Sequence, residues 1–237
     1  MNFTLWRDSI FVGLSYTALG FGGMFLADGR VGPGLATVLT ESKVILAAVL
    51  AYFILSERVS RSTLAGLCIG FLGILIIASP GFLGGSSNDL WGVGYLLMGA
   101  SGIAFGNVFI RKFSPRNNVL ALTAIQFLLG SLVLFVASFL FEESPIISWH
   151  REFNWSLAAL SIGTAASESI WIYLLRQVEL TTLNTFSFLT PAFGLGIGIG
   201  FFGERLGATD ILGVLTIGVG LFFTIRHSVT VPIRGRR

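Results

Sequence analysis

Glu41 and Lys43 stand two residues apart in "VLTESKVIL" (38–46), inside a run that is otherwise apolar, and Glu168 interrupts a second such run. A charge near the middle of a bilayer costs about 2.5–3.5 kcal/mol on insertion scales, so it marks a partner, a bound solute or a water-filled cavity. At the helical rise per residue, Glu41 lies about 12 Å, Lys43 about 15 Å and Glu168 about 20 Å into their runs. Lys43 and Glu168 therefore sit at similar depth on separate helices, and both are expected to border a central aqueous cavity. Lys43 shares a face with Thr40 and suits a carboxylate or phosphate. Glu168 shares a face with Ser161, Thr164 and Trp171. Trp171 can offer an aromatic wall or a cation–π face.

Other readings stand beside these. Lys43 can snorkel toward headgroups, and Glu168 can be a structural ion pair, a protonated hydrogen-bonded acid or a site of proton coupling. Residues two apart on a helix point about 200° apart, so Glu41 is not expected to pair with Lys43. Glu41 is left to an outer vestibule or a helix contact. Asn107, Gln126, Asn184 and Tyr52 are further polar groups inside apolar runs, where interhelical hydrogen bonding competes with solute contact. The candidate binding set is Lys43, Glu168, Trp171, Thr164, Asn184 and Gln126.

Catalytic chemistry has little support. His150 falls in a loop and His227 in the tail, and no HExxH, G-x-S-x-G or phosphate-cradling glycine loop with a lysine occurs. The single cysteine, Cys68, excludes an intramolecular disulfide and a zinc site built on cysteine. The chain is not expected to be an enzyme, and nothing calls for a cofactor or a metal.

The elements that must position these groups follow from composition. The 237 residues are 54% hydrophobic and 11% charged, against about 25% charged in an ordinary soluble domain. The mean hydropathy is +0.83. A hydrocarbon core of about 30 Å needs about 20 apolar residues per crossing. Eight such runs occur, at 10–27, 33–55, 62–79, 91–110, 119–141, 155–175, 182–203 and 208–225. They lack the alternation of barrel strands, so they are read as helices. The first lacks a small-residue cleavage site and is read as a retained helix.

Eight crossings put both termini on one side. Eleven of the fifteen lysines and arginines then fall on that side, three on the other and Lys43 within the membrane. This bias predicts a multi-pass protein of the cell (plasma or inner) membrane with both termini cytoplasmic. The net charge of +3 is thereby read as a topology signal, with no nucleic-acid partner expected.

An internal repeat is visible. "LSERVSRSTLAGLCIGFLGILI" (55–76) aligns without a gap on "FGERLGATDILGVLTIGVGLFF" (202–223), so that Glu57 falls on Glu204, Arg58 on Arg205, Gly66 on Gly213 and Gly73 on Gly220. The offset of 147 also lays 33–55 on 182–203 and 10–27 on 155–175. Five helices separate each residue from its counterpart, so the copies have opposite orientation, as in secondary transporters that bind near the midplane between inverted repeats. Lys43 falls on Thr190 and Val44 on Pro191.

A long apolar helix, then Glu-Arg, then glycines nine and sixteen residues on, resembles the EamA family of the drug/metabolite transporter superfamily over nearly the whole chain. The second copy, "SFLTPAFGLGIGIGFFGERLGATDILGVLTIGVGLFF" (187–223), shows it best. Family members usually have ten helices in two five-helix repeats. The resemblance implies an all-α integral membrane protein with eight transmembrane helices as an incomplete (3 + 5) inverted repeat, lacking the first two helices of the usual ten. Its units would be a three-helix repeat at 10–79, a five-helix repeat at 91–225 and a basic cytoplasmic tail at 226–237. The resemblance also implies a secondary transporter, an exporter of a small metabolite, amino acid or drug-like solute by alternating access. The expected partners are a small-molecule substrate, the lipid bilayer and a homodimer completing the missing pair. The alternative is a transport-inactive structural or regulatory membrane protein derived from a truncated transporter.

Small residues recur at helical spacing as Gly66/Gly70, Gly102/Gly106 and Gly196/Gly200, with "LGIGIGFFG" (195–203) the densest stretch. They are expected to let backbones approach closely, or to let helix faces slide. Pro191 is expected to kink its helix. The Glu57–Arg58 and Glu204–Arg205 pairs read as caps or gates at helix ends.

Overall fold

The structure, a computed structural model, describes residues 3–57, 59–83, 89–113, 118–141, 149–202 and 207–228, and every regular element among them is helical. Arg58, Glu204, Arg205 and the tail beyond Ser228 lie outside the described residues. In chain order the helices are α1 (Phe3–Val12), a π-helical segment (Gly13–Phe21), α2 (Gly22–Ala27), α3 (Pro33–Leu55), α4 (Arg61–Leu83), α5 (Leu90–Phe113), α6 (Val119–Phe141), α7 (Arg151–Leu174), α8 (Leu180–Thr185), a 3-10 turn (Phe186–Leu189), α9 (Thr190–Phe202) and α10 (Ala208–Ser228). They make eight stretches long and apolar enough to cross a membrane. Each coincides with a run read from the sequence.

Two spans differ from simple helices. The first begins at Phe3 instead of residue 10, because buried Asp8 pairs with Arg7 at 3.3 Å and so does not end the helix. Its middle is π-helical, a form used mostly in single turns and often at functional sites. The seventh span is interrupted by the 3-10 turn just before Pro191. Proline lacks the N–H for an internal bond, and its ring crowds the carbonyl four residues earlier, that of Ser187. The expected kink is thus a change of helical winding centred on residues 186–189.

Glycines set the tightest contacts. α4 and α10 are the most extensively packed pair of helices. A β-carbon on Gly66 would stand 2.6 Å from the Gly220 carbonyl oxygen, and one on Gly220 would stand 2.7 Å from that of Gly66. Gly73 and Gly213 are related in the same way, at 2.8 Å each. Lipid is as apolar as leucine, so such backbone approach, with its dispersion and weak hydrogen bonds, is what holds membrane helices together. Val38, Val44, Leu67, Ile74, Phe188 and Ile217 fill the space beside this crossing.

The other glycine expectations divide. Gly102 and Gly106 on α5 receive the π-helical segment, where a β-carbon would stand 2.7 Å from the Gly20 amide nitrogen and 2.5 Å from Tyr16 Cβ respectively. Gly194, Gly196 and Gly200 meet no atom within 4 Å. At these described positions α9 carries no close approach, because it presents them outward and not to a neighbouring helix.

Candidate functional site

A cavity of about 380 Å³ opens among five of the spans. The first span contributes Tyr16, Phe21 and Met24, α3 contributes Thr40, Glu41 and Lys43, and α5 contributes Ile103 and Asn107. α7 contributes Ser167, Glu168 and Trp171, and the interrupted seventh span contributes Asn184, Ser187 and Thr190. The two departures from regular helix, the π segment and the turn before Pro191, both reach its wall.

The polar side chains form three groups. Tyr16 Oη lies 2.9 Å from Glu168 Oε1 and 3.0 Å from Oε2, and donates its hydrogen to this carboxylate. Gly106 makes this possible, since a side chain there would occupy the space of Tyr16 Cβ. Lys43 Nζ donates to Glu41 Oε1 at 3.0 Å, and Glu41 is only 3% exposed. Trp171 Nε1 donates to Asn107 Oδ1 at 3.0 Å, and Asn107 Nδ2 donates to Asn184 Oδ1 at 3.3 Å. The chain of donors ends at Asn184 Nδ2, which has no partner, and Glu41 Oε2 likewise has none.

Of the candidate binding set, Lys43, Glu168, Trp171 and Asn184 are brought together on this cavity wall. Gln126 is not. It is fully buried on α6, where its Oε1 accepts from Thr17 at 2.9 Å, so it ties α6 to the π segment. Thr164 lies one turn before Glu168 but outside the cavity wall, and its carbonyl accepts the Ser167 hydroxyl at 3.1 Å. Tyr52 is 56% exposed and lines a separate apolar groove beside Cys68. The exclusion of a Glu41–Lys43 pair is corrected. Cβ directions do diverge at this spacing, but the four-carbon lysine stem wraps along the helix and carries its ammonium to the carboxylate. Glu41 thus faces the cavity with Lys43.

Tyr16 was missed. A tyrosine in an apolar span is unremarkable in composition, and the face it occupies follows from π winding that no period of 3.6 reveals. Asn107, placed among lesser groups, turns out to be the link between Trp171 and Asn184.

One end of the bundle is closed beneath the cavity. Ala51, Val108, Ile110, Ile172, Leu175 and Leu180 are buried together there. Glu57, just past α3, accepts the backbone N–H groups of Leu180 at 3.1 Å and Thr181 at 3.4 Å, capping α8. Arg111 Nε lies 4.0 Å from Glu57 Oε1, and its guanidinium donates to the Leu175 carbonyl. Of the two roles expected of it, cap or gate, Glu57 fills that of a cap, on a helix distant in sequence. Among the described residues, no three His, Cys, Asp or Glu side chains stand together as metal ligands would.

Comparison with known proteins gives this architecture a family. The family model described as the EamA-like transporter family matches residues 2–79 and 90–226. A probable amino-acid metabolite efflux pump of Salmonella typhimurium (strain LT2) is 29% identical over 201 residues, which is 81% of this chain and 67% of that protein. The uncharacterized transporter YoaV of Bacillus subtilis (strain 168) is 26% identical over 90% of this chain and 72% of its own length. A WAT1-related chloroplastic protein of Arabidopsis thaliana is 28% identical over 84% of this chain, which spans half the length of that relative. A crystal structure superposes with a TM-score of 0.74 at 15% identity, covering 96% of this chain and 88% of that one, and so shares the fold. On this evidence, the chain belongs to the EamA-like transporter family.

Proposed function

We propose that this protein is a secondary transporter that moves a small solute across the membrane by alternating access, through the cavity between its inverted repeats. The observation that carries the reading is the cavity itself: about 380 Å³ at membrane depth, with Glu41, Lys43 and Glu168 on its wall. Charged groups are costly there and serve ion or substrate paths. Lys43, Glu168, Trp171 and Asn184 are its binding residues. The repeats comprise 10–79 and 91–225, and the reciprocal Gly66–Gly220 and Gly73–Gly213 contacts are the pattern a two-fold relation between them would produce. The arginine bias supports a cell-membrane location with both termini cytoplasmic. The name of the Salmonella relative supports outward movement of a small metabolite, amino acids included. The cluster around Leu175 and the Glu57–Arg111 contact would then form the cytoplasmic closure.

Reconstitution tests this. Proteoliposomes loaded with labelled metabolites should show saturable counterflow, and Glu168→Gln and the double variant Glu41→Leu/Lys43→Met should abolish it while eluting as the wild type does. Normal counterflow by both variants would remove the cavity from the transport path.

A further inference from the structure

We infer that the cavity selects a small organic cation bearing N–H donors, and that a proton takes its place on Glu168 in the other half of the cycle. The inference rests on the transporter reading above and assigns its substrate class.

Charge balance is the first argument. Two carboxylates, Glu41 and Glu168, face the cavity against one ammonium, that of Lys43. Lys43 is committed to Glu41 at 3.0 Å. Glu168 receives only the neutral Tyr16 hydroxyl, and no ion pair joins it to a cation among the described residues. One negative charge is left over on the part-buried Glu168 carboxylate, and a charge at membrane depth without a partner is costly. A bound cation or a proton balances it, and an anion would add to it.

The second argument is the open hydrogen-bonding positions. Glu41 Oε2 accepts from nothing, and Asn184 Nδ2 donates to nothing, although these residues are 3% and 1% exposed. Buried polar atoms are normally satisfied. Here the two orphans line the same cavity as Glu168. A ligand with several N–H donors can bridge the free edges of the two carboxylates, and an acceptor elsewhere on it can meet Asn184. Trp171 and Phe21 supply the aromatic surface that suits a cation.

The third is the neighbourhood of Glu168. The titratable groups facing it are Tyr16 from the π segment and Lys43 with Glu41 from α3. α5 and α8 present the neutral Asn107 and Asn184, and α6 carries no titratable residue. One cation leaving and one proton arriving keeps the charge of the site constant across the cycle.

Three compounds of similar size separate the possibilities: benzylguanidinium, phenylalanine and benzylsulfonate, a cation, a zwitterion and an anion. Purified protein should bind benzylguanidinium most tightly, with release of about one proton per cation in weakly buffered solution, because linked sites are reciprocal. Its affinity should fall about tenfold per pH unit on acidification, the slope of one-for-one competition. Glu168→Gln should keep its fold, since the amide oxygen still accepts from Tyr16, and should lose both the proton release and the pH dependence. Tighter binding of phenylalanine or benzylsulfonate, or retained proton release in Glu168→Gln, would overturn the assignment. Transport of phenylalanine but not of the guanidinium would overturn it while leaving the transporter standing. Guanidinium binding with proton release, but no movement across proteoliposomes, would uphold the cation site and sink the transport reading.

Discussion

The α4–α10 crossing permits a sharp test, because the same substitution made two residues apart should have opposite signs. A β-carbon on Gly220 would stand 2.5 Å from the Gly70 amide nitrogen, 2.7 Å from the Gly66 oxygen and 2.8 Å from Gly70 Cα. All three are backbone atoms, so no side chain can turn aside, and α4 itself must move away. Overpacking of this kind costs about 1–3 kcal/mol, and Gly220→Ala belongs at the upper end. At roughly 2–4 °C per kcal/mol for a chain of this size, the melting temperature falls by about 2–12 °C. Gly218 lies on the same helix with no atom within 4 Å. There alanine gains about 0.5–1 kcal/mol of helix propensity, a rise of about 1–4 °C by the same conversion. Both variants can be melted in one detergent and followed by size-exclusion fluorescence. Equal shifts for the two, or a larger loss at Gly218, would refute the claim that this crossing is backbone on backbone.

Other substitutions bear on the site. Lys43→Ala strands Glu41, 3% exposed, without its cation and should cost about 3–5 kcal/mol; the double variant Glu41→Leu/Lys43→Met should recover most of it, a coupling readable in a double-mutant melting cycle. Glu57→Ala removes the cap of α8 and should cost about 1 kcal/mol, with faster amide exchange at Leu180 and Thr181. Trp171→Phe leaves Asn107 Oδ1 without its donor, and a loss of about 1 kcal/mol should accompany weaker solute binding in titration calorimetry.

Much of the fold was legible because lipid imposes one rule on every span: the backbone bonds itself, and the side chains are apolar for about 20 residues. The eight crossings follow from that rule directly. Lys43, Glu168, Trp171 and Asn184 were legible as candidates because polar groups at that depth stand out from their surroundings, and they line one cavity. Gln126 and Thr164 stood out for the same reason and lie elsewhere, since depth fixes height in the membrane and not which helices meet. Tyr16 failed the other way: its place on the cavity wall depends on a π segment and on the gap at Gly106, features of winding and packing that leave no mark on hydropathy. The Glu41–Lys43 pair was lost to an argument about Cβ directions that left out the reach of a lysine.

The reciprocal glycines also bear on the internal repeat read from the sequence. Each of Gly66, Gly73, Gly213 and Gly220 faces a carbonyl oxygen of the opposite helix. A larger residue at one of them cannot be accommodated by trimming its opposite number, because the opposite number has no side chain to trim. Elsewhere in the two halves, divergence can proceed by paired compensation; at these four positions that route is closed. If the two halves arose by duplication, they could drift everywhere else and still keep a signature at a fixed interval of 147 residues.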